Sequence, residues 1–372
     1  MARVLVIASL ASSLVNFRGP LLQALQQAGH EVHTMAPDSD PATLAWLGAR
    51  AIPFHEIPMA RQGLAPHQDL ATLLAMAAVM RRIRPDATLA YTMKPVVYGT
   101  LAARLTGVKR RYAMITGLGF AFTEAGQSWR RVLARRIASG LLKAALARLD
   151  AIVFQNPDDP ADLIRLGVMN PDLPTTIVNG SGVDLDHFAV SPLPPEPRFV
   201  MVGRVIADKG VVEYIEAARA IRAAHPEARF QLVGPIETGH STLPKGLLES
   251  AVADGVIDYP GETRDVRPAV AAASVFVLPS YREGTPRAVL EAMSMGRPII
   301  TTDAPGCREP ILDGVNGFMV PVRDVPALTD AMAKLIRDPE LRARMGRESR
   351  RIAEERYEAK AVAASVLKAF DL

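Results

Sequence analysis

Two glutamates in the second half of the chain, Glu283 and Glu291, have the residue type and spacing to hold different hydroxyl groups of one extended ligand. Glu283 lies in a loop after an apolar, strand-like run, and Glu291 lies on the second turn of the helix predicted next. Backbone amides at the start of that helix would face an anionic part of the same ligand. Two solvated glutamates beside a helix start are the alternative. The predicted contacts of this segment are Glu283, Gly284, Thr285, Pro286, Arg287 and Glu291.

Two cations in an earlier loop, Arg204 and Lys209, complement these carboxylates. The loop follows the first predicted strand of the second half, and Gly203 lets the backbone turn tightly there. An arginine can fork onto a phosphate and a lysine adds a point charge, so the pair could neutralise a departing diphosphate without a metal ion. An ordinary strand-to-helix loop with two surface cations is the alternative.

The elements that must position these loops alternate between strands and helices. Predicted strands of the first half are residues 4–8, 31–36, 51–57, 87–92, 112–116, 151–155 and 175–178. Four prolines within residues 192–197 then interrupt the pattern, because proline cannot continue a helix or a central strand. Further strands are predicted at residues 198–202, 229–233, 256–259, 274–279, 298–302 and 318–320.

This alternation predicts an α/β fold of two doubly wound, Rossmann-like domains. We place the N-terminal domain at residues 1–190, a proline-rich linker at 191–197, the C-terminal domain at 198–356 and a last helix within 357–372. Ligands of such sheets bind beyond the carboxyl ends of the strands. We therefore expect the chemistry in a central cleft that the two domains face.

The second half resembles glycosyltransferase family 4, the retaining enzymes of the GT-B fold. The motif pair that carries this resemblance is Gly203-Arg204…Lys209-Gly210 with Glu283-Gly284-Thr285-Pro286…Glu291. Further matches are Asn179-Gly180…Gly182-Val183-Asp184…Phe188, Gly261…Asp265 and Glu309…Gly314…Gly317-Phe318. The resemblance covers essentially the whole chain.

The resemblance implies a role for each charged residue. Arg204 and Lys209 would bind the donor diphosphate as it leaves, Glu283 would hold hydroxyls of the transferred sugar, and Glu291 would hold the ribose. The last helix would cross back to the N-terminal domain. Transfer would occur on the front face with retention, without a carboxylate nucleophile and without a cofactor. Two Asp-x-Asp triplets, at Asp38 and Asp184, lie outside these loops, so we expect no metal.

Two segments of the N-terminal half, which begin at Tyr91 and Thr116, are similar to a bacterial subgroup of the family. This subgroup builds capsule, O-antigen and glycan-lipid chains. This similarity implies an undecaprenyl-diphosphate-linked acceptor and a UDP-N-acetylhexosamine donor. Where many relatives place a histidine, this chain has Thr116. Lys94 could meet the acceptor phosphate or be plain surface charge. The predicted acceptor residues are Asn16, Arg18, Lys94, Thr116 and Gly117.

Positive charge concentrates in the N-terminal half, where residues 61–148 hold 15 lysines and arginines but only three acids. Residues 128–149 form a basic amphipathic pattern with apolar residues at 133, 137, 141 and 144. Such a helix could lie in an anionic membrane surface, pack on the sheet as an ordinary crossover helix, or do both. We find no nucleic-acid motif. The residues predicted to contact the membrane are Trp129, Arg130, Arg131, Arg135 and Arg136.

These features together predict a peripheral enzyme on the cytoplasmic face of the inner membrane that extends a lipid-linked glycan. No stretch of about 18 apolar residues predicts a spanning helix, and one cysteine excludes an internal disulfide. Two alternatives remain open. One is a UDP-N-acetylglucosamine 2-epimerase of the same fold, and the other is a non-catalytic subunit that binds sugar nucleotides.

Overall fold

The computed structural model describes residues 1–60, 66–118, 129–237 and 241–372, without the side chains of residues 129–135. The chain divides into two compact units. Unit 1 comprises residues 1–181 and 360–372, and unit 2 comprises residues 182–359. The prediction of two doubly wound α/β domains is confirmed, because each unit contains a parallel sheet with helices between its strands.

The described part of unit 1 forms a parallel sheet of seven strands in the order β3-β2-β1-β4-β5-β6-β7. Its elements before the return of the chain are β1 (Arg3–Ile7), α1 (Ala11–Asn16), α2 (Gly19–Gln27), β2 (Glu31–Ala36), α3 (Pro41–Gly48), β3 (Phe54–Glu56), α4 (Pro66–Ile83), β4 (Ala87–Tyr91), a π-helical turn (Pro95–Gly99), α5 (Thr100–Leu105), β5 (Arg110–Ile115), α6 (Trp129–Leu146), β6 (Ala151–Phe154), α7 (Asp158–Arg165) and β7 (Thr175–Ile177).

Side chains that alternate along β1 build the core on both faces of this sheet. Leu5 and Ile7 belong to one buried cluster, which α4, α5 and α6 cover. Val4 and Val6 belong to a second cluster on the opposite face. Successive strand residues point to opposite faces, and both faces of a parallel sheet must be covered, so every residue of β1 after the first is buried.

Unit 2 repeats this plan with a six-stranded parallel sheet in the order β10-β9-β8-β11-β12-β13. Its elements are β8 (Arg198–Val202), a 3₁₀ turn (Ala207–Lys209), α8 (Val211–Ala224), β9 (Arg229–Val233), α9 (Leu247–Ala253), β10 (Asp258–Gly261), α10 (Arg267–Ala271), β11 (Val275–Leu278), α11 (Arg287–Ser294), β12 (Ile299–Thr302), β13 (Gly317–Val320), α12 (Val325–Arg337) and α13 (Pro339–Arg356). The first strand β8 is central, so loops after β8 and β11 are neighbours.

The last helix, α14 (Ala359–Ala369), returns the chain to unit 1. Val366 and Phe370 lie in the core of unit 1, where the Phe370 ring stacks on Tyr112 with 4.6 Å between centroids. This helix therefore completes the core of the first sheet, although almost two hundred residues separate it from β7.

The proline-rich segment expected to join the domains lies inside unit 2. Arg297 is fully buried and holds the beginning of this segment through hydrogen bonds to the carbonyl oxygens of Ser191 (2.9 Å) and Pro192 (3.1 Å). Arg342 donates to the carbonyl oxygen of Pro195 at 2.6 Å. The division between the units falls instead at 181/182 and 359/360, because two buried arginines fix the prolines to the second sheet.

The segment between the first two predicted strands begins with a short helix for which the sequence analysis gave no prediction. This helix is α1, at Ala11–Asn16. Leu14 is fully buried in the first unit's core, so packing stabilises this short helix despite its lack of a side-chain cap.

Candidate functional site

The loops after β8 and β11 bring together two of the predicted charged residues. Lys209 ends the 3₁₀ turn after β8, and its ammonium group directly contacts Oε1 of Glu283 in the loop after β11. The side chains are only 17% and 13% exposed, and Ser280 Oγ donates to the same carboxylate oxygen at 2.8 Å. A largely buried ion pair is costly unless hydrogen bonds complete it. Because Ser280 provides such a hydrogen bond, Lys209 and Glu283 form a stabilised polar site at the carboxyl edge of the second sheet.

Two glycines allow these loops to approach so closely. Gly210 has φ +75°, and a Cβ placed on it would lie 2.1 Å from the carbonyl oxygen of Pro279. Gly306 has φ +80°, and its Cβ would lie 2.0 Å from the carbonyl oxygen of Glu283. The backbone amide of Glu283 donates to the carbonyl oxygen of Pro305 at 2.9 Å. Both positions exclude a side chain, and together they hold Glu283 against its neighbours.

A second ion pair lies on α11. Arg287 Nε donates to Oε1 of Glu291 at 2.8 Å, one helical turn away. Burial raises the pKa of the Glu291 carboxyl, and the nearby Arg287 guanidinium opposes that rise. Pro286 is the N-cap residue and Arg287 begins the helix. Glu291 is on the second turn, as predicted.

A third ion pair links Arg204, in the loop after β8, to Glu237, in the loop after β9. Gly203 and Arg204 follow β8 directly, and Arg204 Nη1 donates to Oε2 of Glu237 at 2.8 Å. Both side chains are partly exposed, at 48% and 37%. The structure therefore places all four predicted charged residues at loops or helix starts along one edge, in three separate pairs. Glu237 was missed because nothing in its spacing distinguishes it from a solvated loop acid.

The carboxyl edge of the first sheet carries mostly hydroxyl groups. Ser13 Oγ and Tyr91 Oη lie 2.8 Å apart, and the buried Arg18 guanidinium lies over the Tyr91 ring, 5.0 Å from its centroid. Thr92 Oγ1 donates to Ser9 Oγ at 2.9 Å from a backbone with φ 68°. A β-branched residue in the left-handed region is strained, and such strain concentrates at functional sites. Of the predicted acceptor residues, Arg18 belongs to this group.

The remaining predicted acceptor residues lie in different surroundings. Lys94 forms an ion pair with Asp69 at 2.9 Å and is 14% exposed, so it is not a plain surface charge. Asp69 on α4 was missed because 25 residues separate it from its partner. Asn16 is exposed at the end of α1. Thr116 and Gly117 follow β5, and the predicted acceptor segment beyond residue 118 lies outside the described residues.

Helix α6 packs on the first sheet through only part of its apolar side chains. Leu142 and Leu146 are buried in the core, whereas Ile137 is 49% exposed and Ala144 is also exposed. Of the two interpretations of this apolar pattern, packing on the sheet therefore does not hold for Ile137 and Ala144, because the helix turns another face to the sheet. Arg136 is exposed, and the side chains predicted for the membrane at residues 129–135 lie outside the description.

The Asp-x-Asp triplets have structural roles. Asp40 caps α3 by accepting from the Thr43 backbone amide at 2.9 Å. Asp184 accepts from the amide of His187 at 3.0 Å and closes a turn. Within residues 1–60, 66–118, 129–237 and 241–372, no group of three or more histidine, cysteine, aspartate or glutamate side chains could hold a metal ion. No helix in this part of the chain is both long and apolar enough to cross a membrane.

Comparisons with known proteins agree with this geometry. Residues 196–338 match the family described as glycosyl transferases group 1, and residues 3–156 match the glycosyl transferase 4-like family. The N,N'-diacetylbacillosaminyl-diphospho-undecaprenol alpha-1,3-N-acetylgalactosaminyltransferase of Campylobacter jejuni is 26% identical, over 97% of this chain and 96% of its own.

A second relative and a solved structure extend the comparison. The UDP-Gal:alpha-D-GlcNAc-diphosphoundecaprenol alpha-1,3-galactosyltransferase of Escherichia coli is 25% identical over 76% of this chain and 74% of its own. The structure of Anabaena HepE in complex with UDP and glucose is 18% identical and superimposes with a TM-score of 0.77 over all of both chains. The chain is therefore a glycosyltransferase of family 4 with the GT-B fold, related to bacterial enzymes of lipid-linked glycan synthesis.

Proposed function

We propose that this enzyme transfers an N-acetylhexosamine, with retention, from a UDP-sugar to an undecaprenyl-diphosphate-linked glycan. The observation that carries the proposal is the buried contact between Lys209 and Glu283 at the carboxyl edge of the second sheet. In this proposal Lys209 binds a donor phosphate and Glu283, beside it, holds sugar hydroxyls. The names of the Campylobacter and Escherichia relatives, which act on diphosphoundecaprenol-linked sugars, support the acceptor class.

In this proposal the chain's own charges replace a metal ion at the donor diphosphate. Lys209 and Arg204 stabilise the negative charge that develops as the diphosphate leaves, and Glu283 aligns the sugar. Lys209 is effective in this role because a fixed, largely buried cation needs no reorganisation during the reaction. Glu291, held by Arg287, accepts hydrogen bonds from the ribose hydroxyls. Turnover should therefore be unchanged by excess chelator, and a loss that added Mg²⁺ restores would contradict a metal-free site.

On the acceptor side, we propose that Arg18 and Lys94 meet the lipid diphosphate. Arg18 is held over Tyr91, and Asp69 fixes the ammonium group of Lys94. A lysine has three donors, of which Asp69 Oδ1 accepts one, so a phosphate oxygen can accept another. Asn16, Thr116 and Gly117, near the same edge, contribute to the acceptor glycan site in this proposal.

We also propose that unit 1 contacts an anionic membrane surface at the cytoplasmic face of the inner membrane. Helices α4, α5 and α6 cover one face of the first sheet and contain a single acid, the buried Asp69. Leu70 and Leu74 stand one turn apart on α4 and are 56% and 57% exposed. Apolar residues within a basic surface fit an anionic lipid interface. The exposed basic residues described on these helices are Arg81, Arg82, Arg104, Arg136 and Lys143.

Two experiments test these proposals. The first incubates the protein with UDP-N-acetylhexosamines and an undecaprenyl-diphosphate monosaccharide, follows UDP release, and determines the product's anomeric configuration by NMR. Acceptor-dependent release with a retained configuration is expected. An inverted linkage, an epimerised free sugar, or UDP binding without turnover would contradict the proposal.

The second experiment measures co-sedimentation with phosphatidylglycerol vesicles. Replacing Leu70 and Leu74 together by Ser should lower membrane affinity at least about tenfold, since two leucines lose their burial in the lipid. The matched control replaces two exposed apolar residues of unit 2, Val252 and Leu312, by Ser. Reversing Arg130, Arg131, Arg135 and Arg136 to Glu should also release the protein. Equal binding by all variants would exclude this surface.

A further inference from the structure

A buried glutamate next to the donor loop has no part in the roles proposed so far. Glu213 lies on the first turn of α8 and is 7% exposed. Its Oε1 accepts a hydrogen bond from the hydroxyl of Tyr281 at 2.7 Å, and its Oε2 has no hydrogen-bond partner among the described residues. A buried carboxylate costs free energy unless both oxygens are paired, so the presence of Glu213 beside the site needs an explanation.

Tyr281 joins this glutamate to the loop that carries Glu283. Tyr281 stands two residues before Glu283, and its backbone amide donates to the carbonyl oxygen of Asp208 at 2.9 Å. Asp208 directly precedes Lys209. The Tyr281 side chain then reaches α8 one turn beyond Lys209, at Glu213. The loop after β11 is thus tied to the segment after β8 at two points on either side of Lys209.

A third loop closes over the tyrosine ring. Arg323, just after β13, has its guanidinium 4.6 Å from the centroid of the Tyr281 ring. Its backbone φ is 63°, an uncommon conformation for a residue other than glycine. The cation over the ring face gives an electrostatic attraction and places a positive charge near the Glu213–Tyr281 pair. Loops from three strands of the second sheet therefore meet at Tyr281.

We propose that Tyr281 is a positioning residue, which together with Glu213 and Arg323 holds Glu283 in register with Lys209. The two residues of the ion pair come from separate loops, so their alignment depends on how those loops are fixed to each other. A small displacement of aligned groups lowers a reaction rate strongly. Tyr281 would act through the loop, without touching the substrate.

The first test measures loop order directly and does not depend on the proposed reaction. Tyr281→Phe removes only the hydroxyl and keeps the ring beneath Arg323. Amide hydrogen exchange at residues 280–285 and 207–210 should rise about tenfold, the scale expected for losing a hydrogen bond to a charged group. The matched control is Tyr214→Phe, which removes a buried hydroxyl bonded to the carbonyl oxygens of Phe199 and Gln231. That variant should leave exchange in both loops unchanged. Unchanged exchange in Tyr281→Phe would overturn the proposal.

The second test uses kinetics and rests on the proposed function. Tyr281→Phe should lower kcat about tenfold with a smaller change in the donor KM, because alignment rather than binding is lost. Glu213→Gln, which still accepts the hydrogen bond, should keep most of the rate, whereas Glu213→Leu should match Tyr281→Phe. The double variant Tyr281→Phe/Glu213→Leu should be no slower than either single variant, since both break one interaction. Fully additive losses would overturn the proposal. Absence of donor turnover in the wild type would instead overturn the proposed function.

Discussion

The carboxyl edges of the two sheets differ in chemistry, although the sheets share one architecture. The edge of unit 2 carries ion pairs, and the edge of unit 1 carries mostly hydroxyl groups. The first six strands of each sheet have the order 3-2-1-4-5-6 when each sheet is numbered from its own first strand, and the sheet of unit 1 adds a seventh strand. The edge of unit 2 carries the pair Lys209–Glu283 on loops packed through glycines and the pair Arg287–Glu291 on α11. The edge of unit 1 carries Ser9, Ser13, Tyr91 and Thr92, with strained backbone at Thr92.

This difference follows from what each edge is proposed to bind. A nucleoside diphosphate always presents the same charge and ribose hydroxyls, so fixed ion pairs suit it. The glycan of the proposed acceptor presents neutral hydroxyls in varied arrangements, for which serine, threonine and tyrosine side chains are suitable donors and acceptors, and Arg18 and Lys94 are proposed for its diphosphate. The comparison predicts that charge removal disables unit 2, whereas unit 1 is more sensitive to changes in hydrogen-bonding shape.

The largest effect is expected from removing the charge at the centre of the donor edge. Lys209→Ala should lower the rate of acceptor-dependent UDP release about 10²- to 10³-fold, the loss typical of one preorganised stabilising group. Glu283→Ala should abolish turnover with the fold intact. Glu249→Ala is the control for Glu283→Ala, because it removes one negative charge at an exposed position of α9 in the same unit. Near-wild-type rates in Lys209→Ala would contradict the claim that unit 2 depends on its fixed charges.

The second effect concerns the backbone that supports the donor edge. Gly306→Ala should destabilise the protein by about 3 kcal/mol or more, because left-handed backbone strain adds to a clash with the carbonyl oxygen of Glu283. Gly314 has a similar φ of +75° but nothing within 4 Å of a Cβ. Gly314→Ala should therefore lose only the strain, about 1–2 kcal/mol. Urea unfolding compares the two, and equal losses would argue against close packing at Gly306.

The third effect tests the acceptor edge. Arg18→Lys should lower acceptor-dependent turnover about tenfold, because lysine keeps the charge but loses the planar fork that binds a phosphate. Binding of UDP, measured by calorimetry, should not change. Arg50→Lys serves as the control, since the Arg50 guanidinium also lies over an aromatic ring, 3.9 Å from the Trp46 centroid, but precedes β3 at the opposite edge of the sheet. If Arg18→Lys weakened UDP binding instead, Arg18 would belong to the donor side.

The sequence predicted the fold, and the position of the charged residues at the strand ends of unit 2, for a physical reason. Strand runs such as Arg198–Val202 and Arg229–Val233 are short, apolar and bounded by turns, so their limits were predicted to the residue. The charges around Glu283 occur within a few residues of strand ends, where chain order alone places them at one edge. Nothing in the sequence indicated which side chains pair when many residues of the chain separate them. Lys94 with Asp69 and Tyr281 with Glu213 meet only because the sheets bring distant segments together.

The smallest effect is a pH dependence of donor binding through Glu291. Burial raises the pKa of this carboxyl above the ordinary 4.5, and its ionised form is the stronger acceptor for the hydrogen bonds proposed from the ribose hydroxyls. Affinity for UDP should therefore be full above the raised pKa and fall a few-fold as the pH decreases through it, earlier than for an ordinary glutamate. Glu291→Gln should bind UDP more weakly at neutral pH but lose this titration, because an amide oxygen accepts at any pH. Calorimetric titration of wild type and variant across the acidic range gives the two curves. Parallel curves would show that another group titrates, and Glu291 would then be a structural partner of Arg287 rather than a contact of the donor.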